Sequence, residues 1–314
     1  LNKLHLFFIY FLITILFGIS IFLLPGKDQA VFEKTYNPQR SEGPYWNNVE
    51  EAWPTVKIFD FPEQMDFAGE TVPLNQPDVR ERLEREIYVN AYWHSNTVLM
   101  MKRAGKFLPV IKTILVQNGI PEDFKYVALI ESGLMNVVSP AGARGFWQLM
   151  TGTAKERGLE INREVDERYH FQKATQAACG YIKRSYARFG NWTSVAASYN
   201  MGVTGLLRRK KEQKTTDYYN LLLNEETSRY IFRILAVKEI FEDPNKYGFD
   251  LQADDLYAMP LLKELVVTNS IANLADWALE HNSSYKELKI YNPWLRSNKL
   301  TISKGNSYTI LLPA

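Results

Sequence analysis

The residue whose type and setting could do chemistry is Glu131. It closes the run Tyr126-Val127-Ala128-Leu129-Ile130-Glu131-Ser132-Gly133, an apolar stretch that reads as a buried helix. Asn118-Gly119 ends the helix before it, and Pro121-Glu122-Asp123 supplies the proline and acids of a first helical turn. A carboxyl set against Val127, Leu129 and Ile130 loses solvation, so its pKa should rise and keep it protonated near neutrality. Glycosidic bond cleavage needs such a group, because the leaving oxygen must receive a proton. A glutamate at a helix end is more often simply solvated, so the neighbouring segments carry the weight. They are Gly142-Ala143-Arg144-Gly145-Phe146-Trp147-Gln148, Val195 to Gly202 around Tyr199-Asn200, and Glu226-Thr227-Ser228-Arg229-Tyr230.

Gln148 is a neutral amide that can bind sugar hydroxyls or N-acetyl groups without perturbing an acid electrostatically. Ser132 could orient a substrate or hydrogen-bond the carboxyl. Tyr199 and Asn200 offer a ring face and an amide to a cleft. Gly142 and Gly145 suit a loop that a glycan approaches closely. Singly, each reads better as a surface amide or a packed ring. Together, in this order behind Glu131, they resemble the Glu-Ser, Gly-x-x-Gln and Ala-Tyr-Asn motifs of the lytic murein transglycosylases, of the membrane-bound D type. The resemblance runs from about Asp78 to about Phe241 and takes in Asp166 to Ala178 and the Phe189-Gly190-Asn191-Trp192 turn.

That resemblance implies a lysozyme-like, multi-helical catalytic domain acting on peptidoglycan glycan strands. It also implies a mechanism with one carboxyl. Glu131 would protonate the oxygen linking N-acetylmuramic acid to N-acetylglucosamine. Its conjugate base would then take the proton of the muramic acid C6 hydroxyl as that oxygen attacks C1, leaving a 1,6-anhydro sugar. An intramolecular nucleophile has a high effective concentration, so a second carboxylate is dispensable. Tyr230 would be the tyrosine that hydrogen-bonds the acid. Several positions depart from the pattern: Ser198 and Met201 replace alanines, Thr151 replaces a proline, and His170-Phe171 stands in place of Asp-Pro. The competing readings are a goose-type lysozyme, in which water attacks C1, and a non-catalytic peptidoglycan-binding protein. Asp166 and Glu226 are the other carboxylates close to the motifs.

The rest of the 314 residues bounds the elements that must position this chemistry. An apolar fraction of 46% suffices for a packed core, and a net charge of +2 gives no global basic surface for nucleic acid. Cys179 is alone, so no internal disulfide is possible. His5, His94, His170 and His281 are scattered, so neither metal nor cofactor is expected. Leu4 to Leu24 is an almost unbroken apolar run between Lys3 and Pro25-Gly26-Lys27, long enough to span a bilayer. With no good cleavage site after it, the run reads as an uncleaved signal anchor. The body of the chain would then be exported into the periplasm.

The expected organisation is thus mainly α. It comprises an anchor (1–27), a linker and N-terminal extension (28–77) whose Trp46, Trp53 and Phe59 could drape over the next domain, a catalytic domain (78–249), a second linker (250–262) and a C-terminal module (263–314). Helical patterns recur at Val79, Leu83, Ile87 and Tyr88, over Val98 to Lys102, and over Leu108 to Val116. The module reads as strand, helix, helix, strand: Glu264 to Thr268, Ile271 to His281, Ser284 to Ile290, and Ser307 to Leu312. This βααβ order resembles a LysM peptidoglycan-binding module. Thr268-Asn269-Ser270 replaces the usual glycine-aspartate turn.

Overall fold

Helix α1 (Pro77–Tyr92) starts with proline in its first turn, where a missing N–H costs nothing, and buries Val79, Leu83, Glu86, Ile87 and Ala91 on one face. Helix α2 (His94–Gln117) joins the two short patterns of the sequence into one rod, with Pro109 inside it. Proline removes the hydrogen bond that Gly105 O would accept. Asn118 and Gly119 (φ 66°) end the helix. Next come α3 (Lys125–Ser132), α4 (Thr151–Glu156), α5 (Phe171–Phe189), α6 (Trp192–Met201), α7 (Val203–Gln213) and α8 (Glu225–Glu242). The computed structural model describes residues 56–314. The expected anchor, Trp46 and Trp53 lie outside the described residues. Among the described residues, no helix is long and apolar enough to cross a membrane.

The centre of the helical region is α8. It is buried on most of its circumference, from Tyr230 to Ile240, and packs on α1, α3 and α6. A helix apolar almost all round belongs in a core. Asn224 caps its start by accepting from Thr227 N, and Asn191 does the same for α6 through Ser194 N. A two-residue hairpin, β1 (Asp66–Phe67) with β2 (Glu70–Thr71), closes one side. Two ionic groups hold it. Lys238 Nζ lies 2.8 Å from Asp123 and 3.3 Å from Asp66, while Glu70 accepts from Trp192 N and Thr193 N at the start of α6. Phe59, the describable part of the expected drape, packs its ring against Tyr88, Tyr92 and Tyr247.

The C-terminal module has the expected order: β3 (Leu262–Val267), α9 (Leu274–Glu280), α10 (Tyr285–Tyr291) and β4 (Tyr308–Pro313). The strands pair antiparallel, Leu262 opposite Pro313 through Val267 opposite Tyr308. Ser284 and Glu287 form a capping box at α10. Its core of Leu274, Leu288, Leu300, Ile310 and Leu312 also contains Val165 and Tyr169 from the helical region. Backbone bonds run between the two, Asp166 N to Trp294 O at 2.9 Å and Arg296 N to Glu164 O at 2.7 Å. Tyr308 donates to Glu160, and His170 stacks on Trp294. The connecting segment is laid along α2, with Tyr257 N bonded to Lys102 O and Leu256 against Gly105.

Candidate active site

Glu131 lies in the last turn of α3, whose buried face is Tyr126, Val127, Ala128 and Leu129. Gly133 (φ 58°) turns the chain out of the helix with its N–H on Leu129 O. Two arginines serve the carbonyls at this helix end: Arg233 donates to Ile130 O at 2.9 Å and Arg103 to Gly133 O at 2.6 Å. The carboxyl is therefore fixed from both sides of its backbone. It lines a cleft of about 680 Å³ between α1, the start of α2, and α8.

Burial raises the Glu131 pKa, and the nearby negative charge of Glu226 adds to it. The hydrogen bond from Tyr230 and the positive charge of Arg233 oppose the rise without cancelling it. Tyr230 Oη donates to Glu131 Oε1 at 2.5 Å, and burial holds the phenol pKa well above its ordinary value, so it stays a donor. The negative end of the α3 dipole also disfavours the ionised acid.

The remaining expected residues surround this centre in different ways. Ser132 is buried, and its hydroxyl donates to Phe146 O at 2.9 Å and Ala128 O at 3.2 Å, tying α3 to the next loop. Gln148, at φ 43°, holds that loop through its amide nitrogen, which donates to Gly145 O and Val137 O. Tyr199 donates to Trp147 O at 2.8 Å and stands edge-on to Tyr181. Asn200 faces α8, giving its N–H to Glu226 and accepting from Thr227. Glu131, Ser132 and Glu226 line the cleft. Gln148, Tyr199 and Asn200 form the scaffold behind it.

Gly145 owes its identity to the chain's own backbone. A Cβ there would lie 2.0 Å from Arg168 O, on top of a φ of 76°. Gly142 has the same kind of φ but open space around it. Buried Arg168 clamps the loop from below, donating to Gly142 O, Leu149 O and Thr151 Oγ1 while paired with Asp166. Asp166 is thus structural and outside the cleft. Thr151, found where the resemblance leads one to expect proline, completes that clamp.

Two cleft residues had escaped sequence reasoning. Glu86, 1% exposed, is held by Arg229 at 2.7 Å and Arg85 at 2.5 Å. Its signal was available, since it falls on the apolar stripe of α1 between Leu83 and Ile87. Trp93 keeps 59% of its surface exposed at the cleft, and the sequence gives no cue to that.

Residues 110–222 match the family described as Transglycosylase SLT domain, and residues 263–314 match the soluble lytic transglycosylase C-terminal LysM-like domain. The chain carries an SLT transglycosylase domain with a LysM-like C-terminal domain. It is also 26% identical over 254 residues to the membrane-bound lytic murein transglycosylase D of Escherichia coli K12, and equally to that of Escherichia coli O6:H1. Those matches cover 78% of this chain and 54% of each relative, so the chain spans about half the length of the curated relatives it matches. The SLT domain contributes Glu131, Ser132 and the Gln148 loop. Arg229, Tyr230 and Arg233 come from α8, beyond the matched residues.

Proposed function

We propose that the protein is a peptidoglycan lytic transglycosylase of the cell envelope with Glu131 as its single acid and base. The observation that carries this reading is the state of the cleft carboxyls. Glu131 alone combines a raised pKa with a phenol donor. Glu86 is paired with two arginines, Glu225 lies 3.5 Å from Arg229, and Glu226 accepts from Asn200. Hydrolysis by paired carboxylates needs a second free one to act as base or nucleophile.

Glu131, protonated, gives its proton to the oxygen between N-acetylmuramic acid and N-acetylglucosamine, and the N-acetyl group of the former helps to stabilise C1. The resulting carboxylate, steadied by the Tyr230 hydrogen bond, accepts the proton of the C6 hydroxyl as that oxygen closes on C1. Atoms balance without water: one glycosidic bond breaks, one anhydro bond forms, and Glu131 is regenerated. Trp93 offers an exposed indole face on which a sugar can stack. Ser132, Gln148, Tyr199 and Asn200 act chiefly by holding the loop and α6 against α3 and α8.

The relatives' name, membrane-bound, supports placement at a membrane of the envelope through the apolar N-terminal run. The C-terminal module supports a grip on glycan strands. Digesting sacculi with residues 56–314 and weighing the products tests the reading. Anhydro-muropeptides are expected. Reducing-end products, heavier by one water, would assign hydrolysis of the goose-lysozyme kind, and no release would leave only a binding protein.

A further inference from the structure

One wall of the cleft is built by residues that precede the matched SLT domain. Glu86, Val89 and Asn90 of α1, with Trp93 just after it, all line the cleft and fall at helical spacing. They form one stripe that ends at the elbow between α1 and α2. Trp93 is that elbow. Its N–H bonds to Val89 O at 3.2 Å and its carbonyl accepts from Thr97 N at 3.0 Å, so one residue caps α1 and opens α2. Buried Thr97 adds a second tie, its hydroxyl donating to Asn90 O at 2.6 Å. The indole therefore rides on backbone bonded on both sides, which leaves a ligand little backbone freedom to freeze.

The Trp93 side chain takes little part in packing. It keeps 59% of its surface exposed, whereas Trp147 is fully buried and donates to Thr175. Val89 and Met135, the latter from the loop after α3, are exposed in the same cleft. Exposed apolar surface gathered in a concavity marks a binding site. Two amides line the cleft beside it. Asn90 donates to Glu86 O at 2.8 Å, which leaves its oxygen to accept, and Asn96 lies in the first turn of α2. A pyranose ring offers C–H bonds on its face and hydroxyls on its edge, so an indole with neighbouring amides fits a sugar. An N-acetyl group adds a methyl for Val89 and Met135, and an N–H and C=O for the amides.

We propose that the α1–α2 elbow is a binding subsite for an N-acetylhexosamine ring, with Trp93 as its platform and Asn96 and Asn90 reading the N-acetyl group. The inference deepens the transglycosylase reading, which supplies the polymer; the subsite itself requires only a β-1,4-linked amino sugar. It lies outside residues 110–222, so the helices before the SLT domain add specificity to the acid that the domain carries. An indole moves no proton in the reaction. Trp93 therefore holds substrate and transition state alike, and its loss belongs in KM and not in kcat.

The test compares wild type with Trp93→Ala, Trp93→Phe and Asn96→Ala. Calorimetry uses a β-1,4 N-acetylglucosamine tetramer and the glucose tetramer of the same linkage. Trp93→Ala should weaken binding of the N-acetylglucosamine tetramer on the order of tenfold, and Trp93→Phe should recover part of that loss. Asn96→Ala should narrow the preference for the N-acetylated tetramer while binding the glucose tetramer as wild type does. On glycan strands stripped of stems by an amidase, Trp93→Ala should raise KM on the order of tenfold with kcat little changed. Thermal melts of the variants should coincide with wild type, because the side chains are not in the core. Full affinity in Trp93→Ala would put the sugar on the C-terminal module and overturn the proposal. So would a phenylalanine variant as weak as the alanine one, a fall in kcat with KM unchanged, or a melting temperature that drops in step with binding. An unaltered preference in Asn96→Ala overturns the reading of the N-acetyl group. A wild type that binds the N-acetylglucosamine tetramer through Trp93 but releases nothing from strands sinks the enzyme reading and leaves the subsite standing.

Discussion

At the scale of single residues, the protonation of Glu131 is set by opposed neighbours, and each can be removed. Glu131→Gln should keep the fold and cost at least about 10²–10⁴-fold in turnover, because one group serves both proton transfers. Retention of more than about a tenth of wild-type activity, far above that range, would remove Glu131 from the acid role. Tyr230 and Glu226 act on its pKa with opposite sign. Activity requires the protonated form and falls as pH rises through the pKa. Tyr230→Phe should therefore move the alkaline limb of kcat/KM to higher pH while lowering its plateau, and Glu226→Gln should move the limb to lower pH. Shifts in the same direction would contradict this electrostatic picture. The burial of the Glu131 carboxyl was legible in the sequence, since a carboxylate ending an apolar run announces desolvation. Glu86 was less so, being masked as the last of the charged run Glu84-Arg85-Glu86, and Arg168 gave little cue because it clamps backbone carbonyls brought in from a distant loop.

At the scale of elements, the loop after α3 holds its shape by contacts within the chain. Its glycines separate into two kinds. Gly145→Ala would drive a Cβ into Arg168 O, so the loop must move, with a loss of at least about 3 kcal/mol in urea unfolding and of activity with it. Gly142→Ala meets no atom within 4 Å and should lose only the roughly 1–2 kcal/mol of a left-handed backbone. Equal losses would show that φ alone matters in this loop. The helices were legible from their spacing, and so was the βααβ order of the module. What periodicity could not reveal was continuity through Pro109, because proline forbids a hydrogen bond that packing can do without. Nor could it reveal that Ser132 and Gln148 face the loop, since an amide or hydroxyl signals capacity to bond and not its partner.

On the scale of the whole molecule, one departure from the family pattern, His170-Phe171, lies where the module docks. His170 stacks on Trp294, and Phe171 packs against Phe107 and Phe146. Burial, with Lys173 nearby, pushes the His170 pKa down to about 4. The folded protein thus holds this imidazole neutral, while the unfolded chain takes up a proton near pH 6.5. Stability should be full above about pH 6.5 and decline by at most about 3 kcal/mol as pH falls towards 4. His170→Phe should flatten that slope in thermal melts. An unchanged slope would place the titration elsewhere. No reading of the sequence could anticipate this contact, because its partners are more than a hundred residues apart.

Arg168 and Tyr169 are consecutive, yet the first supports the loop of Gln148 and the second sits in the core of the module. One turn of chain is therefore a shared wall, and the segment leading to the module is bonded along α2. For a protease this leaves no neck to cut. Limited trypsin digestion should keep residues 59–314 as a single fragment until the whole body melts. Early release of a stable piece ending near residue 262 would show that the wall can be opened. A chain truncated there by design should fare worse than a clipped bead. It would expose Val165 and Tyr169 and loosen the loop beside the acid, even towards substrates too short for the module to hold.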